Sequence, residues 1–546
     1  GTTVDDAAEE MLRYGFEGFP IAEEGRIVGV LSRREIDRAQ RLRLGNMPVS
    51  HYMTKGDIYV TADDSVEHLQ QIMTRYGIGQ VPVVRHNEVV GIVTRTDLIK
   101  LWAAPPPRPS RRREIAQKID AALPGPLLDL LKHASELAQD MGYPLYVVGG
   151  FVRDLLLGES NLDMDLVVEG DAIRLARRLG KRAGARTRSH KRFGTAKIIL
   201  EGRETEFGVP SLDFATARLE FYPHSAALPE VERSSIRADL HRRDFTINTL
   251  AIRLDSGHYG QLLDFYGGEQ DLNDGLIRVL HSLSLIEDPT RIMRAARFEQ
   301  RLGFAIESRT AELIENALPM LSRVTGERIR HELYLILHEQ EPERVLCRLA
   351  DLHALREIHP RLACDEETWK WFGQLRSALA GRAWDIPTVE DGRPAPGLYM
   401  ALLCYNLPRA ETEAFANHLK ILRTDLTLLR QVTDLKEAQD KLDQPDLSNR
   451  QIYALLRHSS SASRLIFWVC TPSERVRDRL RLYEIELRHV RPVVDGEYLK
   501  SIGLKPSPLF SRLLSTVRDA RLDREIQTEE EEKALIAQLL REWDKA

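Results

Sequence analysis

Long apolar runs and closely spaced cysteines are both lacking in this chain of 546 residues. No stretch reaches the roughly 18 consecutive apolar residues of a membrane-spanning helix, and no signal peptide is visible. We therefore expect no membrane partner. The four cysteines, Cys347, Cys364, Cys404 and Cys470, show no CxxC or CxxxH spacing, so no zinc site is expected. Such sparse cysteine usage suits a reducing cytosol, and we expect a cytoplasmic protein.

A large net charge is lacking as well. The formal net charge of −5 excludes a protein that is basic throughout, but it leaves room for a local basic face that binds nucleic acid. Residues 174–192 are dense in lysine and arginine. We interpret the helical half, Asp171 to Ala183, as a solvated face, and we expect the loop half near Arg188 to Arg192 to lie close to phosphate. A hydrophobic content of 43% indicates a globular protein, and the length predicts about three to four domains.

An internal repeat fills the first part of the chain. Each copy reads helix, strand, strand, helix, and each contains a hydroxyl residue followed three residues later by an acid: Ser32 with Glu35, and Thr94 with Asp97. The repeat resembles a tandem pair of CBS domains, with the first strand of the first copy missing or divergent. The resemblance implies an adenine-nucleotide site at Thr94 and Asp97 and a homodimer formed through the module. Helix capping alone would select the same residue types.

The chain opens with Gly1 inside the first copy of this repeat. We therefore expect it to be a piece of a longer polypeptide. After the repeat, the proline-rich and basic residues 103–125 predict an extended, semi-rigid linker. Amphipathic segments near Ile115 to Leu123 and Leu127 to Met141 then lead into the next domain.

A buried strand that ends in a glycine turn is predicted at Leu145 to Val148. Gly149 and Gly150 would let backbone amides approach a bulky anion, and Arg153 lies where a fork of donors could hold phosphate. A short helix is expected to start at Leu155 to Leu157, with its N-terminus favouring the same anion. These residues together predict a phosphate-holding turn.

Two aspartates, Asp163 and Asp165, lie two apart on the next predicted strand, so both carboxylates should point to one face. Like charges at such positions repel each other unless a cation lies between them, and Mg²⁺ prefers a few carboxylates together with substrate phosphate oxygens. Taken singly, an Asp-x-Asp pair is a solvated strand edge and a Gly-Gly pair is a turn. Joined by a short spacer, they predict nucleotidyl transfer by two metals.

The turn and the aspartate pair resemble the head domain of the class II tRNA nucleotidyltransferase and bacterial poly(A) polymerase family. The resemblance implies that Asp163 and Asp165 bind two catalytic Mg²⁺ ions. It also implies that the incoming triphosphate is held by Gly150, Phe151, Val152 and Arg153. A third carboxylate, which would orient or deprotonate the attacking 3′ hydroxyl, matches Asp213, and Glu206 is a competing candidate.

A second family motif, Arg-Arg-Asp-Phe-Thr-x-Asn, occurs at Arg242 to Asn248. By resemblance, Arg243, Asp244 and Asn248 hold the ribose and the phosphates. The residues alone would predict a helix start with Asp244 as its cap. Further on, Leu263 to Gly268 resembles the family's hinge between head and neck, a mechanical element rather than a chemical one.

Asp288, Arg291, Arg294 and Arg297 recur at a spacing of three on one slowly drifting helix face. The pattern resembles the family's Glu-Asp-x-x-Arg motif, in which the acid and the first arginine imitate a Watson–Crick edge. The resemblance implies that Asp288 and Arg291 select the base and that Arg294 and Arg297 face phosphates and ribose, with Arg301 and Arg330 as weaker additions. A solvated basic face is the alternative.

The fold expected is a multidomain α+β protein. In chain order we predict a tandem CBS module (1–102), a Pro/Arg-rich linker (103–125), a nucleotidyltransferase head with a mixed sheet (126–275), a helical neck for base recognition (276–340), and a helical body and tail that bind tRNA (341–546). The segment from Val493 to Pro508 resembles the tail of bacterial CCA-adding enzymes, which lies along the tRNA acceptor arm and elbow.

The resemblance implies a template-independent enzyme that uses Mg²⁺ and releases pyrophosphate. Because the fused CBS module resembles the A-adding members, we expect addition of the terminal A, from ATP, to tRNA that ends in CC. CCA addition, CC addition and poly(A) synthesis are alternatives within the family. A nucleotide-sensing RNA-binding regulator with an inert head is a distant alternative.

Overall fold

The computed structural model of the chain describes residues 1–14, 16–86, 88–98, 109–221, 230–380, 384, 386 and 393–543. The chain divides into two compact units. The first holds the chain up to Phe221 and two later pieces that end at Arg242 and Leu263, and the second holds Arg243–Leu250 and the chain from Asp264 onward. Every helix in the described ranges is too short or too polar to span a membrane.

Short strands, most of them antiparallel, form the sheets of both units. In chain order they are β1 Gly18–Glu23, β2 Arg26–Ser32, β3 Thr54–Lys55, β4 Val60–Thr61, β5 Gln80–Arg85, β6 Glu88–Thr94, β7 Leu145–Val148, β8 Asp165–Val168, β9 Arg186–His190, β10 Thr195–Ile199, β11 Ser211–Thr216, β12 Arg218–Phe221, β13 Glu230–Arg233, β14 Ala251–Arg253, β15 Gln261–Leu263, β16 Leu276–Ile277 and β17 Ala305–Ile306.

The N-terminal repeat folds as two small layered modules. The first copy combines the sheet β1-β2-β3 with helices Val4–Tyr14 and Arg33–Arg41, and the second combines β4-β5-β6 with helix Val66–Tyr76 and a helical segment over 95–98. Each copy has its own apolar core, one around Leu31 and one around Val81. The predicted repeat is confirmed, and β3, which follows the second helix of the first copy, completes that copy's sheet.

The segment predicted as an extended linker is helical where it is described. Residues 99–108, which include the proline run, lie outside the described residues. From Pro109 to Ala122 the chain is one helix, and a second helix covers Gly125–Asp140. The first helix buries Ile115 and Ile119 at helical spacing, which explains why the basic residues before them are helical too.

A mixed sheet of seven strands, in the order β15-β14-β7-β8-β11-β10-β9, is the largest sheet of the first unit, and β12 and β13 form a separate pair. Strands β8 and β11 run parallel, and the other neighbours are antiparallel. All four residues of β7 are buried, as the continuous apolar run predicts. Helix Ala172–Arg182 packs Leu175 and Leu179 against this sheet and exposes its basic residues, so the solvated-face interpretation of this half is confirmed. The helices of this part not yet named are Gly150–Leu157, Glu204–Phe207 and Ile236–His241.

Where the structure describes it, the second unit consists of helices and loops apart from the β16–β17 pair. Its helices are Gly268–Asp274, Ser284–Glu287, Thr290–Leu302, Ser308–Ala317, Gly326–Leu337, Pro342–Asp351, Ala354–Ile358, Glu366–Ala380, Pro396–Cys404, Arg409–Leu419, Arg423–Glu437, Gln439–Leu442, Asn449–Leu456, Ser461–Cys470, Glu474–Ile485, Gly496–Ser501, Pro508–Leu522 and Glu529–Trp543. The helical neck, body and tail expected from the sequence are therefore present as secondary structure.

The four cysteines all lie in the second unit. Cys347 and Cys364 form a disulfide that no sequence spacing indicates. Cys404 and Cys470 are buried free thiols, and burial raises the pKa of Cys404 to about 12. The disulfide departs from the thiol-only state that the sequence suggested.

Candidate active site

The glycine turn after β7 begins a helix at once. Gly149 has φ 72° and ψ −132°, a conformation that side chains disfavour, and helix Gly150–Leu157 follows directly. The helix therefore starts well before the predicted Leu155. Arg153, only 3% exposed, donates from Nε and Nη2 to the two carboxylate oxygens of Asp154 at 2.7 and 3.0 Å. A Cβ on Gly150 would lie 3.7 Å from Arg153 Nη2, so the guanidinium lies beside the turn, where its contact with phosphate stays a prediction.

Asn161 connects this turn to the first of the two aspartates. Its side-chain amide donates to Asp154 Oδ2 at 2.7 Å, and its Oδ1 accepts from the backbone N–H of Asp163 at 2.8 Å. Strand β8 begins only at Asp165, so Asp163 precedes the strand on which the sequence placed it. The side-chain turn at Asn161, rather than the strand pleat, therefore holds the backbone of Asp163.

Asp165, Asp213 and Lys197 form one row across three neighbouring strands. In the register, Asp213 on β11 pairs with Asp165 on parallel β8 and with Lys197 on antiparallel β10. Directly paired residues face the same side of a sheet. Lys197 Nζ lies 3.0 Å from Asp213 Oδ2.

Glu206, the competitor of Asp213, lies in helix Glu204–Phe207 and forms an ion pair with Arg203 at 2.8 Å. It is exposed, and its partner is on the same helical turn. The sheet register therefore puts Asp213, and not Glu206, beside Asp165.

The carboxylates of the row, together with Asp163 just before it, are of the ligand type that Mg²⁺ prefers. Asp163 and Asp165 are exposed and Asp213 is half-buried. Among the described residues, His, Cys, Asp and Glu side chains nowhere gather in a group of three or more that could hold a metal. Mg²⁺ takes one or two protein carboxylates and completes its octahedron with water and substrate phosphates. The exposed Asp163 and Asp165, which lie next to the glycine turn after β7, fit that requirement.

The motif Arg243–Leu250 belongs to the second unit. Asp244, which is 7% exposed, accepts from Asn248 Nδ2 at 3.0 Å and from the two Arg294 nitrogens Nε and Nη2 at 2.9 and 2.6 Å. Burial would raise the pKa of Asp244, but the charge of Arg294 and the hydrogen bond from Asn248 hold that pKa well below its ordinary value. Asp244 is therefore ionised, and it fixes the orientation of Asn248 and Arg294.

The arginine stripe on helix Thr290–Leu302 faces the interior. Arg291 is 4% and Arg297 8% exposed, which excludes the solvated basic face. Glu332 lies 3.7 Å from Arg294 and 3.9 Å from Arg297, so acids compensate the buried charge. Among the described residues, Arg297 Nε finds no hydrogen-bond partner although it is buried, which is uncommon for a polar atom in a folded protein.

Asp288 lies directly before Pro289, the N-cap of this helix, and its side chain accepts hydrogen bonds from the first helical residue. Its Oδ1 accepts from the backbone N–H and the hydroxyl of Thr290 at 3.1 and 2.6 Å. The same oxygen accepts from Arg328 Nη2 at 2.6 Å. Arg328 comes from the helix Gly326–Leu337, and sequence reasoning missed it because its pairing with Asp288 depends on helix packing alone.

Arg301 and Arg330, the two weaker candidates for contact with the nucleotide, differ in their surroundings. Arg301 is exposed in the last turn of helix Thr290–Leu302. Arg330 Nη1 donates to the backbone carbonyls of Leu419 and Lys420, so it holds the end of another helix. The structure thus gives Arg330 a packing role, and its contact with a nucleotide stays a prediction.

Thr94 and Asp97 form a capping box at the end of β6. The Thr94 hydroxyl and backbone N–H donate to Asp97 Oδ2 at 2.7 and 2.8 Å, and the backbone N–H of Asp97 donates to Thr94 Oγ1 at 3.2 Å. Ser32 and Glu35 repeat the arrangement in the first copy. The capping interpretation is confirmed. The other oxygen of Asp97 accepts from Arg237 Nη2 at 3.0 Å.

Family models match three parts of the chain. The model of the poly A polymerase head domain matches residues 145–278, and the CBS domain model matches residues 1–41 and 49–104. The model described as the probable RNA- and SrmB-binding site of polymerase A matches residues 303–365. The predicted head and CBS module are thereby confirmed.

Curated relatives match over long stretches. The chain is 35% identical to an A-adding tRNA nucleotidyltransferase of Geobacter sulfurreducens, over 98% of this chain and 63% of that protein. It is 32% identical to the A-adding tRNA nucleotidyltransferase of Halalkalibacterium halodurans, over 71% of this chain and 86% of that protein. The chain thus spans less than two thirds of the length of the Geobacter relative.

Solved structures of CCA-adding enzymes share the fold. A Thermotoga maritima CCA-adding enzyme complexed with tRNA CCA is 29% identical, with a TM-score of 0.60, over 78% of this chain and 98% of that one. A CCA-adding enzyme in complex with ATP is 30% identical, with a TM-score of 0.64 and the same coverage.

Proposed function

The chain belongs to the tRNA nucleotidyltransferase family, and from this premise we propose that it transfers AMP from ATP to the 3′ end of tRNA that ends in CC. The observation that carries the proposal is the row of Asp165 and Asp213 on parallel strands beside the glycine turn at Gly149. The terminal A is favoured over the other additions because the A-adding Geobacter relative matches across 98% of this chain, the CBS module included. CC-adding and CCA-adding enzymes match shorter shares of it.

In the proposed reaction the RNA 3′ hydroxyl attacks the α-phosphate of ATP. A new P–O bond joins AMP to the RNA, the bond to the β-phosphate breaks, and pyrophosphate leaves. We assign Asp213 to orient the hydroxyl and accept its proton, because it pairs with Asp165 in the sheet register. Asp163 and Asp165 would hold Mg²⁺, which would supply neutralisation of the triphosphate charge. The turn at Gly150, Phe151, Val152 and Arg153 would hold the triphosphate.

Recognition of the base and ribose is assigned to the second unit. Asp288 and Arg291 would read the base edge, since Arg328 and Ser284 hold them in place. Arg294 and Arg297 would face phosphates or ribose, supported by Asp244, Asn248 and Glu332. Arg243 would steady the negative phosphates of the leaving group.

The tRNA acceptor arm and elbow are the proposed partners of the helical body and tail. Action on tRNA favours the cytoplasm, and the Cys347–Cys364 disulfide is the observation that runs against a reducing compartment. A homodimer formed through the CBS module stays a prediction.

The proposal is tested by primer extension with tRNA transcripts that end before CCA, after C and after CC. Each is offered labelled ATP or CTP with Mg²⁺, beside an Asp163→Ala control. One AMP added only to the CC end is the expected result. CTP incorporation would instead make the chain a CC- or CCA-adding enzyme, and long A ladders would make it a poly(A) polymerase. Binding of tRNA without extension of any primer would favour the inert regulator.

We further propose that the second CBS copy binds an adenine nucleotide at Thr94 and Asp97. Bound AMP at about 100 times its Kd should add roughly 2.7 kcal/mol to the free energy of unfolding, which a thermal shift detects. Asp97→Ala should abolish this shift, because it removes the acid of the clasp. Glu35→Ala, the same change in the first copy, is the matched control and should keep it. A shift that survives Asp97→Ala would place the nucleotide elsewhere.

A further inference from the structure

A cavity of about 450 Å³ lies in the first unit, where strands β8 and β11 end. None of the residues assigned to the proposed reaction lines it. The lining residues that matter for its chemistry are Asp171, Lys191, Arg192, Phe193, Arg218 and Glu232. Strands β8 and β11 run parallel from Asp165 and Asp213 towards Val168 and Thr216. The cavity therefore lies at the opposite end of these strands from the carboxylate row, about 10 Å along β11.

Positive charge dominates the lining. Five of the lining residues are lysine or arginine and two are acids. Both acids have partners: Glu232 accepts from Arg13 at 2.8 Å, and Asp171 caps its helix by accepting from the backbone N–H of Arg174 at 3.0 Å. Lys191 and Arg192 are exposed and form no ion pair among the residues whose side chains the structure describes. Of the other cations, Arg218 pairs with Glu220, and Arg233 lies 3.9 Å from Asp171. The cavity therefore presents uncompensated cations.

Hydrogen bonds hold several of the residues that line the cavity in place. The backbone N–H of Thr216 donates to the carbonyl of Gly194 at 3.0 Å, and the Thr216 hydroxyl accepts from the backbone N–H of Ala172 at 3.2 Å. Arg218 donates to the carbonyl of Phe193 at 3.0 Å and to Glu220. The turn that carries Lys191 and Arg192 is thus held in place, which favours binding over a freely moving surface loop.

The chemistry points to phosphate rather than to a nucleobase. The ring of Phe193 is the aromatic group of the lining, and it is already contacted by His190 at 4.9 Å between ring centroids. The guanidinium carbons of Arg192 and Arg218 lie 5.7 and 5.9 Å from its centroid. A base would have to displace these contacts in order to stack, whereas a phosphate needs only the cations.

A path of basic residues on the edge strand β9 runs from Lys197 in the carboxylate row to the turn at Lys191 and Arg192. Lys197 pairs in register with Arg188 on the edge strand β9, and His190 follows two residues later on the same face. Lys191 and Arg192 continue directly into the cavity. Basic residues on an edge strand also prevent unwanted strand pairing, but that role does not require a cavity at the end of the strand.

We propose that this cavity, with the path along β9, binds backbone phosphates of the RNA whose 3′ end lies at the carboxylate row. The inference rests on the proposed function for the identity of the polyanion. A free polyphosphate shares the same chemistry and is the alternative source.

The test compares the full chain with a Lys191→Ala/Arg192→Ala variant in equilibrium binding of a tRNA transcript that ends in CC, at several KCl concentrations. We expect binding about ten-fold weaker at low salt, with the slope of log K against log salt smaller by roughly one to two, because each lost phosphate contact removes about 0.7 to 0.9. In extension assays the KM for tRNA should rise. Arg178→Ala/Lys181→Ala, the same charge change on exposed helix positions outside the lining, should alter binding less than two-fold.

Equal weakening in both variants would reduce the effect to net charge and overturn the inference. Inorganic tripolyphosphate is the second probe. Tripolyphosphate could raise the Tm of the parent but not of the Lys191→Ala/Arg192→Ala variant, while both proteins bind tRNA equally well. In that case the cavity holds free polyphosphate, and its assignment to RNA fails. If tRNA binding depends on the cavity as expected but no primer is extended, the inference stands and the proposed function fails.

Discussion

An Asp165→Asn variant is expected to incorporate AMP into tRNA that ends in CC at least about 1,000-fold more slowly than the parent. The substitution keeps the shape of the side chain and removes one charge of the proposed Mg²⁺ site, and metal ions contribute several kcal/mol to such reactions, at about 1.36 kcal/mol per factor of ten. Because Asp165 is exposed, the free energy of unfolding should change by less than about 0.5 kcal/mol. The measurement is single-turnover incorporation of labelled AMP.

Glu206→Gln supplies the matched control for this experiment. Glu206 is an exposed carboxylate of the same unit, and its partner is Arg203 rather than a residue of the carboxylate row. It should keep the rate of the parent. If Asp165→Asn and the parent incorporated AMP at equal rates, the carboxylate row would take no part in the reaction. If Glu206→Gln lost most of its rate, Glu206 rather than Asp213 would be the third acid.

The Asp244→Ala variant is expected to lose about 3 kcal/mol of stability, measured as the free energy of unfolding in urea. Asp244 is buried and Arg294 is partly so, and removal of one partner of a buried ion pair leaves the other charge uncompensated, which costs roughly 3–5 kcal/mol. The low end applies because Glu332 still lies 3.7 Å from Arg294. Glu312→Ala, in an exposed ion pair with Arg309, is the matched control and should cost less than about 1 kcal/mol.

The same carboxylate predicts a pH dependence. Its pKa in the folded chain is lower than in the unfolded chain, so the stability that it contributes is present above its unfolded pKa of about 4 and is lost as the pH falls towards the folded value. The difference in stability between the parent and Asp244→Asn should therefore shrink between pH 7 and pH 3. A difference that grows on acidification would mean that Asp244 is not ionised in the folded chain.

Local patterns in the sequence predict the elements that carry the site. The apolar run Leu145–Val148 is a buried strand, and the arginine spacing from Arg291 onward lies on one helix, as expected. Both follow from short-range periodicity and from burial. The helix start was placed too late, at Leu155, because a glycine in a left-handed conformation can begin a helix without any capping side chain.

The pairings that orient the candidate site residues are long-range and escape such patterns. Lys197 reaches Asp213 only because β10 and β11 align in one particular register. Arg328 reaches Asp288 through the packing of two helices. The disulfide between Cys347 and Cys364 likewise depends on tertiary structure alone. The partner of each charged side chain therefore depends on the tertiary fold. The helix or strand on which the side chain lies can be predicted from the neighbouring sequence.

The path of the chain between its two units has a consequence for recombination between relatives. Arg243–Leu250 belongs to the second unit, although it lies between segments of the first. A chimera joined at residue 275 would take Asp244 from one parent and Arg294 from the other, so the ion pair between them would no longer come from a single parent. Junctions between 242 and 243, between 250 and 251, and between 263 and 264 follow the boundaries of the two units. If all three are used, Asp244 and Arg294 come from the same parent. Transfer of the second unit from one relative to another would therefore require more than one separate piece of sequence.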